Sequence, residues 1–258
     1  MLNWTTKDGI CEVAMERPPG NEIGREMLEG FERFLEAFDP EKAKVVILYS
    51  KLESGFCAGA DLRHLYREMA SRPGKDHAPE MKKYLDRIHA VMNRLDSLPA
   101  VTIGMIHGVC FGGGFELALT CDLLVAEKTA RFCFPELRLG ILPGFGGIPR
   151  LKRDVGNSLV RDLLLTGRSI NAQKAQQVGL VSQVVSVGEG LAAARSMAQQ
   201  AAKFDPDARA TTKEFMKPIP VKELEEEKQH FLRLFQRPQV MEALKKFVES
   251  DDLRPYLP

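Results

Sequence analysis

The stretch HGVCFGGGFELAL, residues 107–119, joins an apolar strand to a helix through consecutive glycines. The strand precedes it at Ala100–Ile106, and the helical stretch begins where the glycines at 112–114 end. Because glycine carries no β-carbon, the backbone N–H groups at this turn are unshielded. Such amides, at the positive end of a helix dipole, suit a negatively charged oxygen. A tight turn with close strand–helix packing explains the same glycines equally well.

A second glycine-containing turn lies upstream in FCAGADL, Phe56–Leu62. Gly59 can adopt a φ that other residues resist, and the small Ala58 and Ala60 leave nearby N–H groups open. Two such turns at adjacent strand ends would form a two-donor oxyanion hole, although each turn alone also fits a purely structural role. A dinucleotide-binding turn is disfavoured, because GVCFGGG lacks the required glycine spacing and no acidic residue ends a following strand at the expected distance.

Strands and helices alternate on both sides of these turns. Apolar residues at three- and four-residue steps predict helices over 27–38 and 81–95. Apolar runs predict strands at 10–15, 45–49, 100–106 and 123–126. This repeated alternation indicates an α/β architecture.

The last part of the chain is predicted to be mainly helical. Beyond about Asp154, the strand signal is confined to 181–187. Helices are predicted over 173–178, 190–204 and 224–235. We therefore predict a core of residues 1–195 and a helical C-terminal region of residues 196–258.

Two glutamates in apolar surroundings are the candidate acid–base groups: Glu116 in FELAL and Glu136 in FCFPELRLG. An unpaired charge is costly in such surroundings, and burial raises a carboxyl pKa toward values useful for proton transfer. Glu116 follows Gly113 by three residues, so it would lie within one helical turn of the anion site. For either glutamate alone, a salt bridge or a capping contact is the simpler explanation. Their occurrence together beside two glycine turns favours catalysis.

The composition favours a small-molecule ligand. The 258 residues include 36 Lys and Arg against 35 Asp and Glu, so no broad field attracts nucleic acid or an anionic membrane. The five cysteines form no CxxC pair and are predicted to be reduced, buried thiols. No apolar run reaches membrane-spanning length and the N-terminus shows no leader pattern, so we expect a cytoplasmic protein.

Other chemistries find little support in the sequence. It contains no GxSxG elbow, no P-loop and no HExxH pair. The five histidines do not cluster at metal-ligand spacing, and His107 beside a turn glycine is expected to make a structural hydrogen bond. We therefore predict neither a metal site nor a redox cofactor.

Five segments, in this order, resemble the crotonase superfamily of enoyl-CoA hydratases and isomerases: RPPGNEI from Arg17, FCAGADL, HGVCFGGGFELALTCDLLVA, FCFPELRLGILPGFGGIPRL and TGRSINAQKAQQVGLVSQVV. The resemblance spans almost the whole chain. It implies the crotonase fold, a spiral of β-β-α units with a helical C-terminal region that mediates homotrimers, commonly paired into homohexamers. It also implies an acyl-CoA substrate, with coenzyme A as part of the substrate rather than a cofactor. The thioester oxygen would be held by the N–H groups of Ala60 and Gly113.

The resemblance further implies reversible syn hydration of a 2-enoyl-CoA, with Glu116 mainly activating water and Glu136 mainly donating a proton. Simple isomerases of the superfamily often use only one of the two glutamates, so the pair favours a hydratase. A double-bond isomerase and a specialised hydratase for a branched or dicarboxylic acyl group are the enzymatic alternatives. The non-enzymatic alternative is an acyl-CoA-binding or RNA-binding relative, although no basic stripe with interleaved aromatic residues supports RNA binding.

By position, the resemblance places coenzyme A along Ala58, Ala60, Asp61, Leu62 and Arg63, with Arg63 as a candidate phosphate contact. The C-terminal sequence FVESDDLRPYLP departs from the basic tail of many hydratases. Ser250, Asp251 and Asp252 therefore argue against a ribose-phosphate clamp there, and the candidate substitutes are Arg254, Lys245 and Lys246. The side chains of Leu65, Tyr66, Met69 and Tyr84 either line the acyl pocket or are core at helical spacing, with core favoured for each one.

Overall fold

The computed structural model describes residues 1–72 and 74–250. Its strands are β1 (Leu2–Lys7), β2 (Ile10–Met15), β3 (Val45–Ser50), β4 (Gly55–Cys57), β5 (Val101–Ile106), β6 (Val109–Phe111), β7 (Leu123–Glu127), β8 (Arg131–Cys133), β9 (Ile170–Asn171) and β10 (Gln183–Val185). Its helices are α1 (Arg25–Ala37), α2 (Leu62–Ala70), α3 (Ala78–Asp96), α4 (Gly113–Ala118), α5 (Gly147–Val155), α6 (Asn157–Thr166), α7 (Ala172–Gln177), α8 (Gly190–Ala201), α9 (Pro206–Met216), α10 (Val221–Phe235) and α11 (Pro238–Glu249). A 3-10 helix spans Glu136–Leu139.

These strands form two sheets. The larger sheet has the order β1-β2-β3-β5-β7-β10 and the smaller one the order β4-β6-β8-β9. Strand β1 pairs with β2, and β8 with β9, in the antiparallel sense, whereas the other pairings are parallel. The chain passes from the larger to the smaller sheet three times, at β3 to β4, β5 to β6 and β7 to β8. Helical segments follow each passage, which makes the predicted spiral of β-β-α units.

The smaller sheet positions three loops side by side. Because β4, β6 and β8 are parallel neighbours, their carboxyl ends lie at the same edge. Ala58–Ala60 follows β4, Gly112–Gly113 follows β6, and Phe134–Glu136 follows β8. The fold therefore brings together the two glycine turns and the second glutamate, which are far apart in the sequence.

The central strands of the larger sheet are buried on both faces. In β3, Val46 and Leu48 belong to the main core, whereas Val45 and Ile47 pack with Ala194 and Ala198 of α8 on the opposite face. Alternate residues of a strand point to opposite faces, so both layers are filled by one uninterrupted apolar run. Such a run is the pattern that predicted the strand.

Prediction and structure agree for the central elements and differ in the C-terminal region. The predicted strand at 10–15 is β2, and the predicted helices over 81–95 and 224–235 lie within α3 and α10. Helix α9 was missed because it contains no buried residue and so shows no apolar periodicity. All five cysteines are free and buried, as predicted. The division of the chain at residue 195 stays a prediction.

In the described part of the chain, no helix is long and apolar enough to cross a membrane. Arg150 and Asp96 are buried charges that pair with each other. Arg150 is 0% exposed and donates through Nε to Asp96 over 2.7 Å. Asp96 also contacts Lys217 at 2.8 Å. Burial alone would raise the pKa of the Asp96 carboxyl, but the positive charges of Lys217, Arg150 and Arg153 lower it below its ordinary value. This network links α3, α5 and the residue that follows α9.

Candidate active site

The two glycine turns approach each other closely. A β-carbon placed on Gly59 would lie 3.1 Å from the carbonyl oxygen of Phe111 and 3.5 Å from the nitrogen of Gly113. One placed on Gly113 would lie 3.4 Å from the nitrogen of Ala60. Gly59 also has a φ of +110°, which side-chain-bearing residues rarely adopt. Glycine at these positions therefore lets two backbone turns meet.

The N–H groups of Ala60 and Gly113 face this meeting point with unused donor capacity. Neither donates a hydrogen bond to any residue within 1–72 or 74–250. Gly113 is the first residue of α4, where helix N–H groups lack an intrahelical acceptor. Two neighbouring donors without an acceptor are suited to a ligand oxygen.

Glu116 lies on α4 and is 2% exposed. Its Oε1 accepts hydrogen bonds from the backbone N–H groups of Phe145 and Gly147, each at 2.8 Å. Burial raises the pKa of Glu116 to about 7, although these two hydrogen bonds act in the opposite direction. A carboxyl with such a pKa exchanges protons readily near neutral pH.

Glu136 is the first residue of the 3-10 helix that follows β8, and it is 9% exposed. Its Oε2 is buried and finds no hydrogen-bond partner within the described residues. Burial raises its pKa well above the ordinary value, and the charge of Glu116 raises it further. Since buried polar atoms in proteins are nearly always satisfied, this oxygen is available to a group in the cavity that Glu136 lines.

All four groups line one narrow cavity of about 60 Å³. The remaining lining comes from backbone and from apolar or aromatic side chains, among them Leu62, Leu65, Met81, Tyr84, Leu139, Ile141, Phe145, Phe231, Phe235, Val240 and Leu244. Of the residues left open between pocket and core, Leu65 and Tyr84 line the cavity, whereas Met69 is a buried core residue and Tyr66 packs against the core. The hydroxyl of Tyr84 donates to the carbonyl of Ile23 over 3.0 Å.

The residues predicted to bind coenzyme A divide into two groups. Ala58, Ala60 and Leu62 line the cavity. Asp61 instead caps α2 by accepting from the N–H of His64, and it pairs with Arg17 at 2.6 Å. Arg63 donates to the carbonyl of Val248 over 2.9 Å, so the structure places its guanidinium against α11 rather than in the cavity.

The C-terminal candidates for a phosphate contact lie on α11 and beyond its end. Lys245 lies 3.9 Å from Glu249 in an exposed ion pair. The predictions for Asp251, Asp252 and Arg254 lie outside the described residues. His107 makes the structural hydrogen bond expected of it, since its Nε2 lies 2.8 Å from the carbonyl oxygen of Leu52.

Sequence reasoning missed the contribution of the C-terminal helices to the cavity. Phe231 and Phe235 of α10, and Val240 and Leu244 of α11, close it from one side. A further buried acid, Glu227, lies on α10 and binds the same loop as Glu116. Its spacing from Leu224 and Phe231 places it on the apolar face of the helix. This spacing was the sequence signal that could have identified Glu227 as buried.

Comparison with solved structures identifies the class of protein. An enoyl-CoA hydratase/isomerase from Xanthobacter autotrophicus has a TM-score of 0.85 at 24% identity, over 95% of this chain and 91% of that chain. An enoyl-CoA hydratase from Bacillus anthracis has a TM-score of 0.75 at 28% identity, over 95% of each chain. The architecture is thus the crotonase fold that the sequence predicted.

The family profile described as enoyl-CoA hydratase/isomerase matches residues 5–254, and the chain belongs to this family. A probable mitochondrial enoyl-CoA hydratase 2 of Arabidopsis thaliana is 39% identical over 74% of this chain and 62% of its own length. The mitochondrial methylglutaconyl-CoA hydratase of Rattus norvegicus is 35% identical over 77% of this chain and 61% of its own length. A carnitinyl-CoA dehydratase of Proteus mirabilis is 37% identical over 83% and 78%, respectively. The chain thus spans about three fifths of the first two relatives.

Gly113→Ala tests whether the space beside the two N–H groups is needed. The added β-carbon would lie 2.7 Å from the ring of Phe145 and 3.4 Å from the nitrogen of Ala60, so the ring or the glycine turn would have to move. Alanine keeps the N–H group of residue 113, so we expect turnover to fall because the clash shifts this donor, with about 100- to 1000-fold, the usual effect of losing one oxyanion donor, as the upper limit. Steady-state kinetics measures this, with thermal unfolding as a check on folding.

Gly179→Ala is the matched control, because its β-carbon would meet no atom within 4 Å while its φ of +84° imposes backbone strain. This variant should retain its turnover. A folded Gly113→Ala protein with the turnover of the control would contradict the requirement for glycine where the two turns meet.

Proposed function

We propose that this protein catalyses the reversible syn addition of water to a 2-enoyl-CoA thioester. The observation that carries the proposal is the meeting of two unused backbone donors with two buried glutamates in one cavity. Hydration needs both parts, because negative charge develops on the thioester oxygen while a proton and a hydroxyl group are added to neighbouring carbons. The family membership supports the same chemistry.

The N–H groups of Ala60 and Gly113 would donate to the thioester oxygen. They stabilise the enolate-like charge that appears when water adds to the β-carbon. Because both donors belong to backbone fixed by the smaller sheet, they need little reorganisation during the reaction. No cofactor enters this scheme, since coenzyme A arrives as part of the substrate.

The two glutamates would divide the proton transfers. Burial and the charge of Glu116 raise the pKa of Glu136, so a state in which Glu116 is ionised and Glu136 protonated is favoured. Glu116 accepts two backbone hydrogen bonds, which favour its ionised form and the activation of water. Glu136 has a buried oxygen without such a donor, which favours its protonated form and proton delivery to the α-carbon. Coupled acids share their protons, so the two roles describe the predominant state of the pair.

Coenzyme A would cross the strand ends along Ala58, Ala60, Asp61 and Leu62, as the family resemblance implies. The position of Ala58 and Leu62 in the cavity lining supports this path. Arg63 would reach a phosphate only by leaving the carbonyl of Val248. The phosphate contact of Arg63 therefore stays a prediction. We propose that backbone groups make the main contacts with coenzyme A.

The acyl group is proposed to be short and apolar. The lining residues of the described cavity include no Lys, Arg or His, so a free carboxylate on the acyl chain would meet no counter-charge there. It would also lie close to Glu116 and Glu136, which repel it when ionised. Methylglutaconyl-CoA, named for one relative, carries such a carboxylate, so we expect this substrate to be disfavoured.

Glu116→Gln and Glu136→Gln keep size and most hydrogen bonding but remove proton exchange. We expect each variant to hydrate a short 2-enoyl-CoA about 100- to 10,000-fold more slowly than the unmodified protein. Because both groups serve one transition state, the double variant should be far less impaired than the product of the two effects. The loss of enoyl absorbance measures hydration, and Glu214→Gln, an exposed carboxyl on α9, is the control.

A substrate panel separates the alternatives in the same assay: a short apolar 2-enoyl-CoA, a 3-enoyl-CoA, methylglutaconyl-CoA and carnitinyl-CoA. The proposal predicts a mass gain of one water with the first and the weakest rate with methylglutaconyl-CoA. If Glu116→Gln leaves hydration intact while Glu136→Gln abolishes double-bond migration, a one-base isomerase replaces the hydratase. Full activity of both variants on every substrate would refute the two glutamates as the acid–base groups. No turnover of any substrate by the unmodified protein would instead favour a binding protein.

We also propose that the chain assembles as a homotrimer or homohexamer in the cytoplasm. Support for assembly comes from apolar side chains exposed on and around α9: Phe204, Phe215, Met216 and Val221. Such a cluster is typical of a protein–protein contact. Sedimentation should give three or six times the mass of the chain, and a stable monomer at micromolar concentration would argue against assembly. The compartment stays a prediction, since several relatives are named as mitochondrial.

A further inference from the structure

The loop that enters α5 donates consecutive N–H groups alternately to two different glutamates. Phe145 and Gly147 donate to Oε1 of Glu116, each over 2.8 Å. Gly146 donates to Oε1 of Glu227 over 2.7 Å, and Ile148 donates to Oε2 of Glu227 over 2.8 Å. The N–H groups of the backbone segment 145–148, which we call the shared loop, therefore alternate between two carboxylates. Glu116 accepts from residues 145 and 147, and Glu227 accepts from residues 146 and 148.

Glu227 is an unusual residue for its position. It lies on the apolar face of α10, is 4% exposed and makes no ion pair within 4 Å among the described residues. A buried carboxylate without such compensation is costly, so its two hydrogen bonds to the shared loop are the main reason for its tolerance. Structural packing alone would be served better by an apolar side chain.

The carbonyl side of the shared loop is fixed as well. The Nη1 atom of Arg150 donates to the carbonyl oxygens of Phe145 and Gly146 over 3.1 and 3.2 Å. His89 of α3 binds the carbonyl of Gly144, with Nε2 2.8 Å from the oxygen. A β-carbon on Gly146 would lie 1.9 Å from Nη1 of Arg150, so glycine is required for this approach. Side chains thus bind both the N–H groups and the carbonyl groups of the shared loop.

We propose that Glu227 is a positioning residue: by binding Gly146 and Ile148, it aligns the N–H groups of Phe145 and Gly147 on Glu116. Through this contact the C-terminal helix α10 organises Glu116, with which Glu227 shares no hydrogen-bond donor. The inference rests on the proposed hydratase function for its kinetic consequence, whereas its structural part is independent of that function.

Several charges act on Glu227 and on its partner across the loop. Glu116 from α4 and Arg150 from α5 act on Glu227 with opposite signs, while burial raises the pKa of Glu227 well above its ordinary value. From α3, His89 binds the adjoining carbonyl, and burial lowers its pKa. On α10 itself, Lys228 is paired with Asp86 and Glu225. The 3-10 helix contributes Glu136, whose pKa is raised in part by the charge of Glu116.

Glu227→Gln distinguishes a positioning role from a direct charge effect, because the two predict opposite shifts in the pH dependence of kcat/KM. The glutamine keeps the size but presents an NH₂ group to one of the two loop donors, so the shared loop should loosen. Weaker hydrogen bonds from Phe145 and Gly147 stabilise ionised Glu116 less, so the pKa of Glu116 should rise. Since ionised Glu116 is the active form, the acidic limb of kcat/KM should move to higher pH, by about one unit for a tenfold weakening. Loss of a repelling charge would instead move that limb to lower pH.

The direct measurement is hydrogen exchange at single-residue resolution. In Glu227→Gln, the amides of Phe145 and Gly147 should exchange about 10- to 100-fold faster, the range for losing a hydrogen bond to a charged group. They do not contact Glu227, so their response reports transmission through the loop. We expect kcat to fall while KM changes little. Glu226→Gln, the exposed neighbour on the same helix, should match the unmodified protein in every readout.

Unchanged exchange at Phe145 and Gly147, or an acidic limb that moves to lower pH or stays in place, would overturn the proposal. If Glu227→Gln does not fold, Glu227→Asp carries the same test, with shifts in the same directions but smaller. Faster exchange in a protein that hydrates none of the enoyl-CoAs supports the positioning contact and refutes the proposed function, so the two can fail separately.

Discussion

The close approach of two backbone turns at one edge of the smaller sheet is the constraint on which the site depends. It requires glycine where strands β4 and β6 meet. A β-carbon on Gly55 would lie 2.1 Å from the nitrogen of Val109, and one on Gly114 would lie 2.3 Å from the carbonyl oxygen of Cys57. With both contacts made through bare backbone, the N–H groups of Ala60 and Gly113 become neighbours. The parallel pairing of β8 then adds Glu136 at the same edge.

The second requirement is electrostatic. Glu116, Glu136 and Glu227 are all buried, and the buried cation nearby, Arg150, already binds Asp96. Burial therefore favours protonated carboxyls, whereas the backbone N–H groups of residues 145–148 favour ionised ones. The balance of these effects brings Glu116 to a pKa of about 7, where one site can both take up and release a proton. The geometry of a short loop is thus part of the acid–base chemistry that we propose for this site.

The sequence predicted the parts of this site that local patterns encode. Glycine turns after apolar strands and glutamates in apolar segments predicted four groups that the structure brings to one cavity, while their roles as donors and acids stay predictions. The resemblance to a family assigned Ala60 and Gly113 individually. Glu227 was not predicted, because it lies in a run of acidic residues that reads as a solvated helix face. Its partners are more than 75 residues away in sequence, and only the packing of α10 against α5 brings them together.

The acyl pocket also contains residues whose contacts could not be predicted from the sequence. Phe231 and Val240 reach it from helices whose periodicity indicates a buried face but not the surface that this face covers. Arg63 was predicted from its place in a motif, whereas its guanidinium interacts with the carbonyl of Val248 through folding of the C-terminal helix onto α2. Local sequence determines which residues are buried, and tertiary packing determines what they contact.

The most direct test of hydration by this site is the fate of solvent atoms. The protein would be incubated with a short apolar 2-enoyl-CoA in deuterium oxide enriched in oxygen-18, and the product analysed by mass spectrometry and NMR. The account predicts one oxygen-18 atom on the β-carbon and one deuterium on the α-carbon, added to the same face of the double bond. A product with a displaced double bond and no oxygen-18, or an unchanged substrate, would contradict it.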